Sequence, residues 1–309
     1  MIRQTTDTIM MVRPAHFGFN AQTATNNAFQ TNDESISPEA VQHRALEEFD
    51  GFVNRLRDAG VQVIVVDDTA DPVKPDAIFP NNWVSFHDNG LVITYPMYAP
   101  NRQLERREDV IAMLAAHFRI SERIHLEGWE TRQHYLEGTG SMILDRPNQL
   151  VYACVSPRTH KEALNEFCRL IGYEPVAFRA TDAKDQEIYH TNVMMALGET
   201  LAVICLDSIA DAQERAMVEA RLKDTGKAII AISLEQMAAF AGNMLQVRSK
   251  SGETILVMSE QAYQSLTPAQ VADIEKHTKI LYSPIPTIET FGGGSARCMM
   301  AEVFLPAAV

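Results

Sequence analysis

The sequence predicts an α/β protein, a single domain over residues 1–309 in which five similar modules close into a ring. Three observations predict this fold. Helical and strand-forming segments alternate along the chain, five turn-and-strand segments recur at nearly constant spacing, and no low-complexity linker interrupts the 309 residues. With 46% hydrophobic residues, a chain of this length can bury one large core.

Units of helix, glycine and strand account for the α/β prediction. The first helix is predicted over 37–60, where Ser37 can cap it, Pro38 lies in its first turn and Gly60 ends it. The apolar run "VQVIVVDD" that follows predicts a buried strand. Further helices are predicted at 157–172, 211–226 and 267–277, before the strands "YEPVAF", "KAIIAIS" and "TKILYSP"; "SERIHLEG" and "VYACVS" predict short strands.

A weak internal repeat accounts for the ring. Five segments share a turn followed by an apolar strand: "FPNNWVSF", "EGTGSMIL", "YHTNVMMAL", "FAGNMLQV" and "GGSARCMMAEVF". Their turn residues align as Asn82, Gly140, Asn192, Asn243 and Arg297, spaced by 58, 52, 51 and 54 residues. Such spacing indicates modules of a few strands and a helix each, with the turns meeting near a central axis. The alternative is chance, because apolar strands after small-residue turns are common in α/β proteins.

Composition excludes several classes of function. The net charge of −13 and the lack of a Lys/Arg run argue against nucleic-acid binding. No apolar stretch is long enough for a membrane span, and the N-terminus lacks the pattern of a signal peptide. Without CxxC spacing, the four cysteines read as reduced thiols of a cytoplasmic protein. We expect no metal and no organic cofactor, and the sequence leaves a homo-oligomer open.

The repeat would bring three reactive side chains together. Glu137 lies three residues before its turn residue, His190 two before, and Cys298 one after. A thiol, an imidazole and a carboxylate are the groups that nucleophilic cysteine chemistry needs, since the imidazole can carry the proton between nucleophile and leaving group. Each has a plainer reading: a lone cysteine is more often a core residue, a histidine can be buried and satisfied, and Glu137 can form a salt bridge.

The motifs resemble those of the guanidino-group modifying superfamily, which comprises arginine deiminases, dimethylarginine dimethylaminohydrolases and amidinotransferases. "GGGSARCM" resembles its C-terminal cysteine loop, "LEGTGSMIL" its Glu-Gly-Gly-Asp strand start and "YHTNVMM" its His-x-Asp segment. "DAIFPNNWVSF" resembles its Asp-x-x-Phe-x-x-Asp strand and "SPRTHKEAL" its Ser-x-Arg-Thr-Asn helix start. The motifs run in order from about 76 to 304, and "MVRPAHFGFNAQTATNNAFQ" further resembles the citrulline-utilisation hydrolases.

This resemblance implies a pseudo-symmetric five-module α/β propeller of ββαβ repeats with its site on the central axis. It also implies that Cys298 is the nucleophile, His190 the general acid/base and Glu137 its carboxylate partner. Asp76 would be a carboxylate on the substrate side of the site. Arg158, and less directly Arg102, would be candidates for bidentate pairing with the substrate α-carboxylate.

Asparagine replaces acidic residues of the family at several positions. Asn81 and Asn82 stand where dimethylarginine hydrolases have Glu-Asp, and Asn192 stands where deiminases have Asp. A guanidinium only donates hydrogen bonds and favours carboxylates, whereas a neutral ureido group also has a carbonyl oxygen that needs a donor. Losing a charge-assisted hydrogen bond would cost a cation about 1.5–3 kcal/mol. The plainer reading is that these residues are turn formers.

The sequence therefore predicts a cysteine hydrolase that acts on the ureido carbon of citrulline through a covalent thiol intermediate, giving ornithine, carbon dioxide and ammonia. The alternatives with the same machinery are an arginine deiminase, a dimethylarginine hydrolase and an amidinotransferase. A non-catalytic amino-acid-binding propeller is the alternative from another class. The expected partner is a small guanidino or ureido amino acid, although a non-catalytic propeller could instead bind a protein partner.

Overall fold

The computed structural model describes residues 2–308 and contains fifteen strands. The strands are β1 (Thr8–Arg13), β2 (Gln62–Asp67), β3 (Val84–Phe86), β4 (Leu91–Thr94), β5 (Glu122–His125), β6 (Ile143–Asp145), β7 (Leu150–Cys154), β8 (Glu174–Phe178), β9 (Met195–Leu197), β10 (Leu201–Ile204), β11 (Ala228–Ala231), β12 (Leu245–Arg248), β13 (Thr254–Ser259), β14 (Lys279–Ser283) and β15 (Ala301–Glu302).

Ten α-helices lie between these strands. They are α1 (Pro38–Asp58), α2 (Pro100–Gln103), α3 (Glu108–Ala115), α4 (Gly138–Ser141), α5 (Lys161–Ile171), α6 (Ala212–Asp224), α7 (Leu234–Ala238), α8 (Glu260–Ser265), α9 (Pro268–Glu275) and α10 (Pro286–Gly292). No helix among residues 2–308 is both long and apolar enough to cross a membrane.

The strands form five separate sheets of three strands, all built to one plan. In sequence order the sheets are β3-β4-β5, β6-β7-β8, β9-β10-β11, β12-β13-β14 and β15-β1-β2. In each sheet the first strand pairs antiparallel with the second, and the second pairs parallel with the third. A parallel pair needs a crossover, and one or two helices fill it in every sheet. The α/β prediction is confirmed, with five small sheets.

The fifth sheet joins the two ends of the chain. Its first strand, β15, comes from the C-terminal region, while β1 and β2 come from the N-terminal region. Contacts link the sheets in a cycle: β15 to β3, β3 to α4, β6 to β9, β9 to β12, and β13 to the turn before β15. Pairing between chain ends makes the fifth module depend on residues nearly 300 positions apart, such as Ile9 and Glu302.

Local sequence explains the helix boundaries. Ser37 caps α1 by accepting a hydrogen bond from the Ala40 amide, and Thr267 forms a capping box with Gln270 at the start of α9. The second helix was predicted over 157–172, but α5 begins only at Lys161. Hydrogen bonds between the backbones of Ser156 and Thr159 hold the preceding residues in a turn instead.

Candidate active site

The short turns before the first strands of the sheets lie against one another. The 3-10 turn Pro80–Asn82 contacts α4 and the 3-10 turn Ala296–Met299, and α4 also contacts the 3-10 turn Thr191–Val193. A cavity lies between these turns. Its lining residues are Asn27, Asp76, Phe79, Asn82, Arg102, Arg158, Tyr189, His190, Gly292, Gly294 and Cys298. The tertiary structure therefore brings together residues as far apart in the sequence as Asn27 and Cys298.

Cys298 is a buried thiol held by two amide groups. Its Sγ accepts hydrogen bonds from Nδ2 of Asn192 at 3.2 Å and from Nδ2 of Asn243 at 3.3 Å. The side chain is 4% exposed, and its backbone amide donates to Ser295 in the preceding turn. Asn243 was recognised in the sequence only as a repeated turn residue, so its contact with the sulfur is new information.

The glycines before Cys298 have separate structural reasons. Gly293 has a φ of +61°, and a Cβ there would lie 2.6 Å from Nδ2 of Asn27. A Cβ on Gly292 or on Gly294 would approach the Phe79 ring to 2.8 or 2.9 Å. The loop is consequently packed tightly against its neighbours, and the glycines allow that close approach.

His190 and Glu137 form a buried pair. Nε2 of His190 lies 2.7 Å from Oε2 of Glu137, and the backbone amide of Tyr98 donates to Oε1 of Glu137 at 2.8 Å. The carboxylate can only accept, so Nε2 carries the hydrogen and Nδ1 is left with a lone pair. Glu137 is therefore a residue that orients His190, and both of its oxygens already have partners.

The charges around this pair determine its protonation. Burial alone would raise the pKa of Glu137, but the Arg158 guanidinium, the hydrogen bond from His190 and the charge of Arg102 outweigh burial and lower it to about 2. Burial lowers the pKa of His190 to about 4, although Glu137 opposes that change. At neutral pH the pair is a carboxylate beside a neutral imidazole.

Gly140 lies beside the Nδ1 edge of the imidazole. A Cβ on this residue would be 2.4 Å from Nδ2 of Asn82 and 2.8 Å from Nδ1 of His190. Both nitrogen atoms therefore lie next to the space that a Cβ at position 140 would fill, and only a glycine leaves that space empty. The repeat alignment placed Gly140 where the other four modules have Asn or Arg, and the contact with His190 explains why this module differs.

Asp76 has one engaged and one free carboxylate oxygen. Its Oδ2 accepts from Nδ2 of Asn20 at 2.8 Å and lies 3.7 Å from Nε of Arg102. Its Oδ1 is buried without a hydrogen-bond partner. Burial raises the pKa of Asp76 despite Arg102. A substrate group that donates a hydrogen bond would satisfy the free oxygen.

The two predicted arginines differ in how many of their N–H groups are already paired with other groups of the protein. Arg102 makes a bidentate ion pair with Glu105, at 2.8 and 3.0 Å, and donates from Nη1 to Oδ1 of Asn82 at 3.0 Å. Arg158 donates to Asn26 and to the Thr23 carbonyl, while its Nη1 makes only a 3.8 Å ion pair with Glu137. Arg158 is thus the freer of the two guanidinium groups.

Three asparagines present unsatisfied polar atoms. Nδ2 of Asn82, Oδ1 of Asn81 and Oδ1 of Asn192 are buried and have no hydrogen-bond partner. The other amide atoms are engaged: Asn82 accepts from Arg102, Asn81 donates to Thr139, and Asn192 donates to Cys298. Buried unsatisfied atoms cost free energy, which a ligand can recover.

The N-terminal segment covers this cavity. Sequence reasoning did not assign that segment to the site. Asn20 and Thr23 contact Asp76, Asn26 binds Arg158, and Asn27 donates to the Gly292 and Gly293 carbonyls. The sequence signal for this part of the site was the Asn-rich stretch "NAQTATNN", which entered the prediction only as part of a family resemblance. The cavity holds about 10 Å³, the room for one water molecule.

A second group of potential metal ligands lies outside the cavity. His134, His160 and Glu162 offer three ligand atoms within 4.8 Å of one another, a juxtaposition that sequence spacing did not predict. The two imidazole rings, however, stack with centroids 3.7 Å apart and an interplanar angle of 9°. A metal ion must lie near the plane of each ligating ring, and two parallel rings cannot provide that. This arrangement is not a formed metal site.

The family is established by a match to the eukaryotic N,N-dimethylarginine dimethylhydrolase family over residues 13–305. The chain belongs to this family, within the guanidino-group modifying superfamily. The prediction of a hydrolase acting on carbon–nitrogen bonds other than peptide bonds is confirmed. No protein among the curated sequences matches the chain.

Solved structures with low sequence identity share the fold. ArgZ, an arginine dihydrolase from the ornithine–ammonia cycle in cyanobacteria, is 18% identical with a TM-score of 0.75. That alignment covers 97% of this chain and 41% of ArgZ, so the chain spans less than half of that relative. The N-terminal domain of ArgZ bound to product aligns over 97% of this chain and 98% of that domain, at 19% identity and a TM-score of 0.74.

A dimethylarginine dimethylaminohydrolase also shares the fold. It carries a His-to-Gly substitution, was captured as an adduct with S-methyl-L-thiocitrulline, and is 14% identical with a TM-score of 0.65. The alignment covers 98% of this chain and 100% of that one.

Proposed function

We propose that this protein hydrolyses the ureido group of citrulline, and the orientation of the Asn82 amide carries the proposal. Arg102 only donates hydrogen bonds, so the Asn82 atom that accepts from it at 3.0 Å must be the oxygen. Nδ2 of Asn82 is then left as a buried donor without a partner, close to His190 and Gly140.

A ureido oxygen would satisfy this donor, whereas a guanidinium has no acceptor to offer it. The N–H groups of the ureido group could then donate to the free oxygens of Asp76 and Asn192. Of the Arg102 and Arg158 guanidinium groups, Arg158 is the better candidate for the substrate α-carboxylate.

In the first half of the reaction, Sγ of Cys298 attacks the ureido carbon. Nδ1 of His190 takes the thiol proton and then delivers it to the departing δ-nitrogen, so the carbon–nitrogen bond breaks and ornithine leaves. The product on the enzyme is an S-carbamoyl cysteine. A neutral imidazole with its lone pair on Nδ1 is the form this step requires, and the Glu137 contact holds that tautomer.

In the second half, water attacks the carbamoyl carbon. His190 takes a proton from the water and returns one to the departing Sγ, which restores the thiol. The carbamate released decays to carbon dioxide and ammonia. No metal or organic cofactor takes part in either half of the proposed cycle.

A second candidate is arginine as the substrate, and the free Oδ1 of Asp76 favours it. A buried carboxylate oxygen without a partner can bind a guanidinium by a charge-assisted hydrogen bond. ArgZ is described as an arginine dihydrolase and shares the fold. If this chain acted in the same way, citrulline would be an intermediate, and the steps above would be the second of two hydrolyses.

Incubation with citrulline, arginine, dimethylarginine and agmatine in parallel tests these candidates. We expect ornithine and ammonia from citrulline, with no product from the three cationic compounds. Ornithine from both citrulline and arginine would establish the second candidate, and citrulline as the end product of arginine would overturn the proposal. A non-catalytic amino-acid-binding protein would give no product, and its Cys298 would be alkylated no faster than the other three cysteines.

We also propose that the five sheets form one pseudo-symmetric α/β propeller of ββαβ repeats in a single domain, 1–309, with the cavity on its axis. The cyclic contacts between sheets support this arrangement. A cytoplasmic location and a homo-oligomer rest on composition alone and stay predictions.

A further inference from the structure

We propose that Asn192 and Asn243 are a pair of positioning residues that stabilise the thiolate formed when Cys298 gives its proton to His190. The inference rests on the proposed function in one respect, namely that Cys298 is the nucleophile. The two asparagines occupy the same turn position in two successive modules, 51 residues apart. The fold therefore brings equivalent side chains from neighbouring modules to one sulfur atom.

The orientation of the Asn243 side chain is fixed by its other hydrogen bonds. Oδ1 of Asn243 accepts from the backbone amide of Arg297 at 3.0 Å, so Nδ2 must be the atom that faces the sulfur. The same Nδ2 donates to the Asn192 carbonyl at 2.9 Å, which ties the two turns together. Both side chains are at most 1% exposed, so water does not compete for these donors.

Amide donors stabilise a sulfur anion more than a neutral thiol, because hydrogen bonds to a charged acceptor are about twice as strong. Among the residues that the structure describes, only the side chains of Asn192 and Asn243 donate hydrogen bonds to this sulfur. The neighbouring Arg297 does not serve this purpose, since its guanidinium binds the Met300 carbonyl and Glu302. An aspartate at position 192 would instead place a carboxylate against the thiolate.

The pair is suited to a neutral substrate. A guanidinium brings a positive charge that itself favours a nearby thiolate, whereas a ureido group brings none. An enzyme for a ureido compound must therefore stabilise the thiolate with its own groups. Neutral amide donors do this without adding a charge to the site.

The pH dependence of alkylation tests this role without any substrate. Wild type, Asn192→Ala, Asn243→Ala and Asn192→Asp are treated with iodoacetamide over a range of pH, and mass spectrometry follows the peptide that contains Cys298. Burial raises the pKa of both Cys154 and Cys168 to about 12, so these thiols react slowly and do not interfere. Asn81→Ala is the matched control, because this buried amide binds Thr139 and not the sulfur.

Each alanine substitution is expected to raise the pH of half-maximal alkylation rate by about one unit or more, and Asn192→Asp by more than Asn192→Ala. The control should keep the wild-type value. An unchanged value in both alanine variants overturns the proposal. If circular dichroism shows Asn243→Ala to be unfolded, Asn192→Asp decides, since it keeps the size of the side chain.

The outcome is separable from that of the proposed function. A wild-type enzyme that shows these shifts but does not hydrolyse citrulline would contradict the function and leave the role of the pair intact. Turnover of citrulline with no change in the pH dependence of alkylation in any variant would support the function and contradict the role of the pair.

Discussion

Replacing Glu137 with glutamine would disturb both the chemistry and the stability of the site. The carboxylate accepts from Nε2 of His190 and from the Tyr98 amide, and it lies within 4 Å of Arg102 and Arg158. In the variant, the Tyr98 amide still donates a hydrogen bond to the glutamine oxygen, so the glutamine NH2 group faces Nε2. Nε2 must then accept a hydrogen bond, which moves the ring hydrogen to Nδ1 and removes the base from the reacting side.

The expected loss in kcat is on the order of 10³- to 10⁴-fold, as found when a catalytic histidine is held in the wrong tautomer. The expected loss in stability comes from the pKa of Glu137, which is about 2 in the folded protein against 4.5 for a free group. That difference corresponds to about 3 kcal/mol of stability at neutral pH. Because the folded pKa is depressed, this contribution is present above pH 4.5 and is lost as pH falls towards 2.

Ornithine formation at saturating citrulline measures kcat, and urea unfolding at several pH values measures stability. Glu48→Gln is the matched control, because Glu48 likewise accepts two hydrogen bonds, here from the Thr287 and Ile288 amides, but lies outside the cavity. The control should keep kcat. The reasoning would be refuted by a Glu137→Gln enzyme whose kcat stays within about tenfold of wild type and whose unfolding energy at pH 7 is unchanged.

Three further perturbations address specificity, sterics and pH. Asn82→Asp removes the free donor and adds a charge, so kcat/KM for citrulline should fall by roughly 10- to 100-fold while arginine binding improves; equal losses for both compounds would contradict the assignment. Gly140→Ala places a Cβ 2.4 Å from Asn82 and 2.8 Å from His190, so kcat should fall while circular dichroism stays native, and normal turnover would show that the site tolerates the methyl group. Glu289, beneath the cysteine loop, has a pKa raised to about 7 chiefly by burial; the folded state therefore loses about 3 kcal/mol as pH rises from 4.5 through 7, and Glu289→Gln should abolish that decline in urea unfolding.

The sequence by itself determined the local structure and the reactive groups. Caps such as Ser37 and Thr267 are short-range signals, and they marked helices that begin where predicted. The repeat located the turns in front of β3, β6, β9, β12 and β15, because a turn and the strand after it are encoded by adjacent residues. The start of α5 was misplaced by four residues, since the Ser156–Thr159 turn depends on backbone hydrogen bonds that composition does not reveal.

Only the tertiary structure decided which side chains meet and which of their atoms remain free. Asn243 contacts the sulfur because the fourth sheet packs against the turn that carries Cys298. Asn20, Asn26 and Asn27 reach the cavity through hydrogen bonds to residues distant in sequence. The sequence shows that Asn82 carries a donor and an acceptor, but only its contact with Arg102 shows which of them faces the site. The reason is physical: residue type fixes the available chemistry, whereas burial and the neighbouring partners determine which hydrogen bonds are left for a substrate.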